Sequence, residues 1–242
     1  MFADVLTICP RAFRRSTVDK LVFSTEMGAF MKIDFVSDVS CPWCAVGLHA
    51  LEQAIANLDG AVPIELHFQP FELNPQMPAE GEEMVGHLTR KYGITPEQVK
   101  HNTAAITERG AAVGFTFGTR ERIYNSFDAH RLLHWAGVEG PQYQQALKHA
   151  LLRSYLSDGE NLGSHDVLAK AAVSAGLDAV RARAILASDE YATEVRERER
   201  YYTEQGIQAV PSVIINDRHL IQGGQPVEAF EQALREIAAG AA

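Results

Sequence analysis

The residues of this 242-residue chain best suited to chemistry are two cysteines, Cys41 and Cys44, in the segment DVSCPWC at residues 38–44. Two thiols separated by two residues can close a small disulfide and open it again. This is thiol–disulfide redox chemistry, in which a thiolate attacks a sulfur through a mixed disulfide.

The cysteine pair lies where a strand is predicted to pass into a helix. A short β-prone run, residues 32–36, precedes it. After it, apolar residues recur at helical spacing, at Cys44, Gly47, Leu48, Leu51, Ile55 and Leu58. The first N–H groups of a helix lack partners and carry partial positive charge. We therefore predict that the pKa of Cys41 lies below the free value of about 8.5.

These positions predict different roles for the two thiols. Cys41, at the helix start, is the expected attacking thiol. Cys44, one turn further and facing the body of the protein, is the expected resolving thiol. Pro42 suits the first helical position, where an N–H is not needed. Pro42 and Trp43 also influence how readily the pair is reduced.

Three other interpretations of the pair stay open. A structural zinc site usually needs four ligands, and Cys9 is the one remaining cysteine, with no histidine pair at finger spacing after Cys44. A static disulfide is typical of small, cysteine-rich secreted chains. The pair can also be two ordinary buried cysteines. We expect no metal site.

Composition and charge indicate a soluble globular protein. The chain is 46% hydrophobic and 22% charged, which suits one large domain or a domain with an insertion. A net charge of −9 argues against nucleic acid or an anionic membrane as the main partner. No apolar run approaches the roughly 18 residues of a membrane span. Three cysteines favour a reducing compartment, so we expect a cytoplasmic protein.

Residues 1–30 differ from the rest of the chain. A mildly apolar stretch comes before Arg11, Arg14 and Arg15, the reverse of the order in a secretory signal. We expect a flexible or alternative-start extension, with Cys9 a bystander thiol and the compact domain beginning at Met31.

The order of predicted elements is β-α-β, then helices, then β-β-α. Strands are predicted at 64–68, 212–215 and 219–221, besides the first, and a last helix from Gln225 to Ile237. The proline-rich residues 70–78 form a loop, and residues 80–206 are nearly all helical. Thr95, Asp178 and Ser188 are the predicted helix caps. Residues 194–200 carry mixed charges that indicate a solvated helix face. The pattern predicts an α/β domain interrupted by an insertion.

This arrangement resembles the thioredoxin fold, and the helical insertion makes the chain similar to the DsbA-like thiol oxidoreductases. The FrnE-type branch is indicated by five ordered motifs: residues 38–44, PFELNP at 70–75, Asn125 with AHRL at 129–132, Gly206-Ile207 with VPS at 210–212, and GGQP at 223–226. The resemblance covers about residues 31–238. It implies a thioredoxin-like domain of residues 31–78 and 207–240 and an all-helical insertion domain of residues 79–206.

The resemblance also assigns roles near the cysteines. Pro211 matches the cis-proline of the fold, and its loop is expected to face Cys41. The backbone of Val210 would then pair with an extended peptide or a glutathione-like segment by strand addition. Without the resemblance, an ordinary trans Val-Pro bond is the expectation.

Several polar residues keep two interpretations each. Asp38 either raises the thiolate pKa by like-charge repulsion or caps the turn before the helix. Asn125 and His130 either line the cleft above Cys41 or serve as cap and packing residues. Asp34, which alternates with apolar neighbours on its strand, either approaches the Cys44 side or lies on an exposed face, and the exposed face is the expectation.

The sequence favours a thiol–disulfide oxidoreductase acting on protein or small-molecule thiols and disulfides. No tightly bound cofactor is expected, and glutathione or another low-molecular-weight thiol is a candidate co-substrate. The first alternative is a glutathione-dependent isomerase or transferase of the hydroxychromene-carboxylate or kappa type, which resembles this chain across the insertion but usually has serine at the first cysteine position. The second is a redox-dependent binding or chaperone module. Monomer and homodimer both stay open.

Overall fold

The computed structural model of the chain describes residues 7–8 and 30–240. Its strands are β1 (Thr7–Ile8), β2 (Met31–Ser37), β3 (Ile64–Pro70), β4 (Glu82–Glu83), β5 (Arg122–Ile123), β6 (Ser212–Ile215) and β7 (His219–Gln222). Its helices are α1 (Pro42–Ala56), α2 (Met84–Tyr92), α3 (Pro96–Ala112), α4 (Phe127–Glu139), α5 (Pro141–Leu152), α6 (His165–Ser174), α7 (Ala179–Leu186), α8 (Ala192–Glu204) and α9 (Val227–Ala238), with a π-helical turn at Arg153–Ser157.

The central sheet has the strand order β1-β7-β6-β2-β3. β2 runs parallel to β3, pairing Ile33 with Leu66, and antiparallel to β6, pairing Ile33 with Ile215. Every residue of β6 and nearly every residue of β2 is buried, as expected of central strands covered on both faces. The carboxyl end of β2 leads directly into the cysteine segment.

Helix α1 is more deeply buried than its one-sided sequence pattern indicates. It packs against α9 on one side and α3 on another, and its buried positions run almost all round, including Ala45, Val46 and Ala50. A helix apolar on every side is stable only when it is enclosed. The cysteine pair therefore sits at the end of a helix that has little freedom to move.

The chain between β3 and β6 forms helices α2–α8, and α4, α5 and α8 pack against β3. Gln144 on α5 covers the edge of that strand: its side-chain oxygen accepts from the Phe68 N–H at 3.0 Å and its nitrogen donates to the Phe68 carbonyl at 3.1 Å. An uncovered edge strand would expose unpaired backbone groups. The short β4–β5 pairing also falls within this largely helical part.

The predicted β-α-β, helical, β-β-α order is confirmed. Thr95 forms a capping box with Gln98 at the start of α3, and Asp178 caps α7 through the Arg181 N–H. The prediction for Ser188 is wrong. Tyr191 holds the cap position of α8, and the Ser188 hydroxyl instead accepts from the Glu190 N–H within the preceding turn.

The structure describes only a small part of the amino-terminal segment for which an extension was predicted. Thr7–Ile8 pairs antiparallel with β7, while Cys9 and most of residues 1–30 lie outside the described part. The flexibility of this extension and the domain boundaries stay predictions. Within residues 7–8 and 30–240, no helix combines the length and apolar character needed to cross a bilayer.

Candidate active site

The cysteine pair stands at the junction of β2 and α1, as predicted. Asp38 shapes the turn between them: its carboxylate accepts from the Ser40 N–H at 2.9 Å, and its backbone carbonyl accepts from the Cys41 N–H at 3.2 Å. Cys41 is the N-cap residue of α1, with extended backbone angles, and Pro42 is the first helical residue. Local sequence therefore determines where the first sulfur lies.

The pKa values of the two free thiols are shifted in opposite directions. A hydrogen bond donated by the Cys44 thiol to the Cys41 sulfur lowers the pKa of Cys41, and the amides of Cys44 and Trp43 lower it further. Burial and the charge of Asp38 act in the opposite direction. The Cys41 sulfur makes no full capping hydrogen bond to the backbone, so the amides act by their charge. Burial and the neighbouring Cys41 raise the pKa of Cys44 well above its ordinary value. A Cys41 thiolate can therefore coexist with a protonated Cys44.

The Val210–Pro211 peptide bond is cis and lies beside Cys41. The Cys41 sulfur is 3.8 Å from the Val210 carbonyl oxygen. Gly47 on α1 permits this approach, because a β-carbon there would lie 2.9 Å from Pro211 Cγ and 3.2 Å from Gly224 Cα. The loop and the helix thus touch through a glycine, whose role the sequence pattern did not reveal.

Aromatic and basic side chains form the rim around Cys41. Trp43 is 37% exposed, and the Arg109 guanidinium lies 6.0 Å from the centre of its ring. On α2, burial and the charge of Cys41 raise the pKa of Tyr92, and Lys91 interacts electrostatically with Cys41. Sequence analysis missed Arg109, Lys91 and Tyr92, since no local pattern links α2 or α3 to the cysteines.

Asp38 combines both interpretations given to it. It is 0% exposed, and its second carboxylate oxygen accepts from the Leu73 N–H at 2.7 Å. Burial by itself would raise the pKa of Asp38, but nearby His130 and the two backbone amides lower it to about 2. The carboxylate therefore stays ionised, caps the turn, and opposes the Cys41 thiolate.

His130 and Asn125 lie in different surroundings. His130 is buried, and its Nε2 is 3.7 Å from an Asp38 carboxylate oxygen, too far for a hydrogen bond. Among the described residues this nitrogen has no hydrogen-bond partner. The Asn125 side-chain oxygen accepts from the Phe127 N–H, the first N–H of α4, at 2.8 Å, one residue before the N-cap position held by Ser126. His130 therefore lies beside Asp38, which itself precedes the cysteine pair, whereas Asn125 contacts the first turn of α4.

Lys148 on α5 is a residue that sequence analysis missed. It is 1% exposed, and burial lowers its pKa, while the charges of Cys44, Asp38 and Cys41 act in the opposite direction. It forms no hydrogen bond or ion pair within residues 30–240. One signal was available: Lys148 lies one turn after Gln144 and one turn before Leu152, on the buried face of its helix.

The expectation for Asp34 is wrong. Its side chain is buried, accepting from Gln69 Nε2 at 2.6 Å and pairing with Lys32 Nζ at 3.0 Å. Strand alternation separates two faces, but helices cover both faces of this sheet, so neither face of β2 is exposed. Asp34 does not join the cysteine pair.

Residues 32–235 match the family model described as the DSBA-like thioredoxin domain. The chain belongs to this family. It is also similar to the crystal structure of a probable DsbA oxidoreductase, SCO1869, from Streptomyces coelicolor, with 36% identity, a TM-score of 0.79, and coverage of 87% of this chain and 90% of that one. The predicted recognition and fold class, an α/β thioredoxin-like fold with a helical insertion, are confirmed.

Two more distant solved structures share the fold of this DsbA-like chain. A 2-hydroxychromene-2-carboxylate isomerase is 13% identical, with a TM-score of 0.64 and coverage of 86% of this chain and 97% of that one. The cytosolic disulfide reductase DsbM from Pseudomonas aeruginosa is 16% identical, with a TM-score of 0.59 and coverage of 86% and 99%. Membership of the FrnE-type branch stays a prediction. The described residues contain no cluster of three or more histidine, cysteine or acidic side chains suited to a metal ion.

Proposed function

We propose that this DsbA-like protein is a thiol–disulfide oxidoreductase that works through Cys41 and Cys44. The observation that carries the proposal is the placement of two free thiols at the start of a buried helix, with Cys41 as its N-cap residue 3.8 Å from the Val210 carbonyl of the cis Val210–Pro211 bond. The pKa shifts, downward at Cys41 and upward at Cys44, agree with this placement. A low pKa supplies the nucleophile, and a high pKa keeps the second thiol protonated until it is needed.

In the reducing direction, the Cys41 thiolate attacks one sulfur of a substrate disulfide. The substrate disulfide breaks, a Cys41–substrate disulfide forms, and the first substrate thiolate leaves and takes a proton from water. Cys44 then gives up its proton to water and attacks the Cys41 sulfur. This closes the Cys41–Cys44 disulfide and releases the second substrate thiolate. Two electrons pass to the substrate, and the reverse sequence oxidises a dithiol.

Two buried charges control these steps. Lys148 favours the Cys44 thiolate that must form during resolution, because its charge lowers the pKa of Cys44. Asp38 disfavours the Cys41 thiolate and so makes Cys41 a better nucleophile than a fully acidic thiol, since nucleophilicity falls with pKa. Neither group needs to touch the substrate.

Substrate recognition is assigned to the Val210 backbone and to Trp43 on the rim around Cys41. Only 4% of Cys41 is exposed, so a substrate sulfur meets a steric restriction. An extended segment that pairs with the Val210 backbone can reach the Cys41 sulfur despite this restriction, because the Val210 carbonyl oxygen is only 3.8 Å from that sulfur. Protein thiols, glutathione and other small thiols fit this description. DsbM has also been solved with GSH. A reducing, cytoplasmic location stays a prediction that rests on the cysteine count.

The alternative function is a glutathione-dependent isomerase or transferase. The shared fold of the 2-hydroxychromene-2-carboxylate isomerase is the observation in its favour. Both cysteines in this chain favour redox chemistry instead, since an isomerase that only holds glutathione has no use for a resolving thiol.

The deciding experiment compares Cys41→Ser and Cys44→Ser in a Cys9→Ser background, with Cys9→Ser alone as the matched control. We expect Cys9→Ser to catalyse disulfide exchange, Cys41→Ser to lose it, and Cys44→Ser to accumulate a mixed disulfide seen by intact-mass spectrometry. An isomerase would turn over normally after Cys44→Ser. A redox-dependent binding module would keep its partner after Cys41→Ser.

A further inference from the structure

A half-open cavity of about 190 Å³ lies behind the cysteine pair, between β3 and helices α4, α5 and α8. Its polar wall consists of three histidines (His67, His130 and His134), the amides of Gln69 and Gln144, and the cations Lys148 and Arg198. None of the residues that line it is acidic. It is separate from the rim of Cys41, whose residues belong to α1, α2 and α3.

The wall contains two cations that lack partners. Lys148 is 99% buried and forms no hydrogen bond or ion pair within residues 30–240, although its side chain lines the cavity. Half-buried Arg198 likewise has no ion pair in the described part. Burying an ammonium group without a partner costs several kcal/mol unless something compensates it. Asp38 and the two cysteines act on Lys148 only through their charge, so an anion in the cavity would supply the direct partner that Lys148 lacks in the described part.

The nearest acidic groups are engaged elsewhere. Asp34 binds Gln69 and Lys32, and Glu65, which does not line the cavity, approaches His67 at 3.5 Å. On α8, Glu194 and Glu199 influence His134 and His130 but do not line the cavity. Asp38 is held by its two backbone amides. None of these carboxylates neutralises Lys148 from within the cavity.

The remaining wall is apolar and limits the size of the occupant. It includes Phe68, Pro70, Leu133 and Val138. An apolar cavity of about 150 Å³ can hold benzene, so this cavity has room for a compact molecule of about the size of one aromatic ring. Cations on one wall and apolar side chains on the others suit a molecule with one carboxylate and a short apolar body.

We propose that this cavity binds a small organic carboxylate, with the carboxylate on Lys148 and Arg198 and the apolar body against Leu133 and Val138. A bound anion also weakens the positive potential that Lys148 exerts on Cys44. Occupancy therefore disfavours the Cys44 thiolate and slows resolution of the mixed disulfide. This second consequence rests on the proposed redox function, whereas binding itself does not.

The binding test uses the full reduced chain and isothermal titration with benzoate, the uncharged analogue benzamide, and inorganic phosphate. We expect saturable binding of benzoate at least tenfold tighter than that of either comparison compound. Lys148→Met should weaken benzoate binding at least tenfold and Arg198→Gln about threefold. The control Lys170→Met, which removes an exposed lysine paired with Glu160, should leave it unchanged. Arg198 is only half-buried, so its variant keeps the test valid if Lys148→Met fails to fold.

Equal binding of benzoate and benzamide, or benzoate binding unaffected by both Lys148→Met and Arg198→Gln, overturns the site. Phosphate binding as tight as benzoate overturns the assignment of the ligand class. The coupling is tested in Cys9→Ser/Cys41→Ser, in which Cys44 is the remaining thiol, by ultraviolet absorbance of its thiolate during a pH titration. Benzoate should raise the Cys44 pKa, and an unchanged pKa refutes the coupling. Because no turnover is measured, loss of the proposed redox function would leave these results interpretable.

Discussion

Asp38→Asn is the substitution whose effects follow most directly from the structure. The pKa of Asp38 is about 2, against an ordinary value of 3.8. A difference of about 1.8 pH units at about 1.4 kcal/mol per unit corresponds to about 2 kcal/mol of folding stability. Asp38 is fully buried, so solvent does not screen this contribution. The asparagine side chain keeps one oxygen to accept from a backbone N–H, but its NH₂ group would face the second backbone N–H, and two donors cannot pair. We therefore expect the free energy of unfolding to fall by about 1–3 kcal/mol.

The pH dependence has a definite sign. A carboxylate whose pKa is depressed in the folded state contributes stability that is complete above the unfolded value and disappears as pH falls through the folded value. The wild-type chain should therefore lose about 2 kcal/mol more than Asp38→Asn as pH drops from about 4 to about 2. Denaturant unfolding of both proteins at several pH values measures this difference.

The same substitution tests the electrostatics of the thiol. Asp38 raises the pKa of Cys41, so its removal should lower that pKa. The pH profile of iodoacetamide modification, followed by mass spectrometry in a Cys9→Ser background, measures it. Asp34→Asn is the matched control, because Asp34 is also buried on β2 but does not act on Cys41. If the Cys41 pKa stays constant or rises in Asp38→Asn, and is the same as in Asp34→Asn, then Asp38 does not raise the pKa of Cys41.

Three further predictions concern resolution, packing and substrate binding. Lys148→Met should lengthen the lifetime of the mixed disulfide about tenfold, because the cation that favours the Cys44 thiolate is gone; quenched-flow mass spectrometry measures this, and an unchanged lifetime removes Lys148 from the mechanism. Gly47→Ala should destabilise the fold by about 1–3 kcal/mol, since its β-carbon would meet Pro211 at 2.9 Å, and a stability equal to wild type in denaturant unfolding would contradict that close contact. Tyr92→Ala should raise KM for a peptide disulfide with little change in kcat, because the exposed Tyr92 interacts electrostatically with Cys41 and its ring is open to a substrate; a fall in kcat alone would be inconsistent with a binding role.

Features encoded by neighbouring residues could be predicted from sequence. The position of Cys41 at the start of α1 follows from the strand before it, Pro42 after it and the apolar spacing beyond, all within one stretch of chain. The Thr95 capping box is local in the same sense. Family resemblance added the cis bond before Pro211, which composition and spacing did not favour.

Features that depend on distant packing could not be predicted. Lys148 reaches the cysteine pair only because α5 packs against β3, more than a hundred residues from Cys44 along the chain. The contact of Gly47 with Pro211 likewise depends on two segments meeting in the folded state. Asp34 shows the limit of strand alternation, which distinguishes the two faces of a strand but does not reveal that helices cover both. Ser188 shows that a capping residue type alone does not determine where a helix begins.

The Cys44 thiol and the first amides of α1 together make Cys41 acidic while Cys44 stays protonated. The most direct measurement is the pH profile of alkylation of each cysteine in reduced Cys9→Ser protein, resolved by peptide mass spectrometry. We expect a Cys41 midpoint below the free-thiol value of about 8.5 and no modification of Cys44 in the same range. A Cys41 midpoint at or above that value, or equal reactivity of the two thiols, would contradict it.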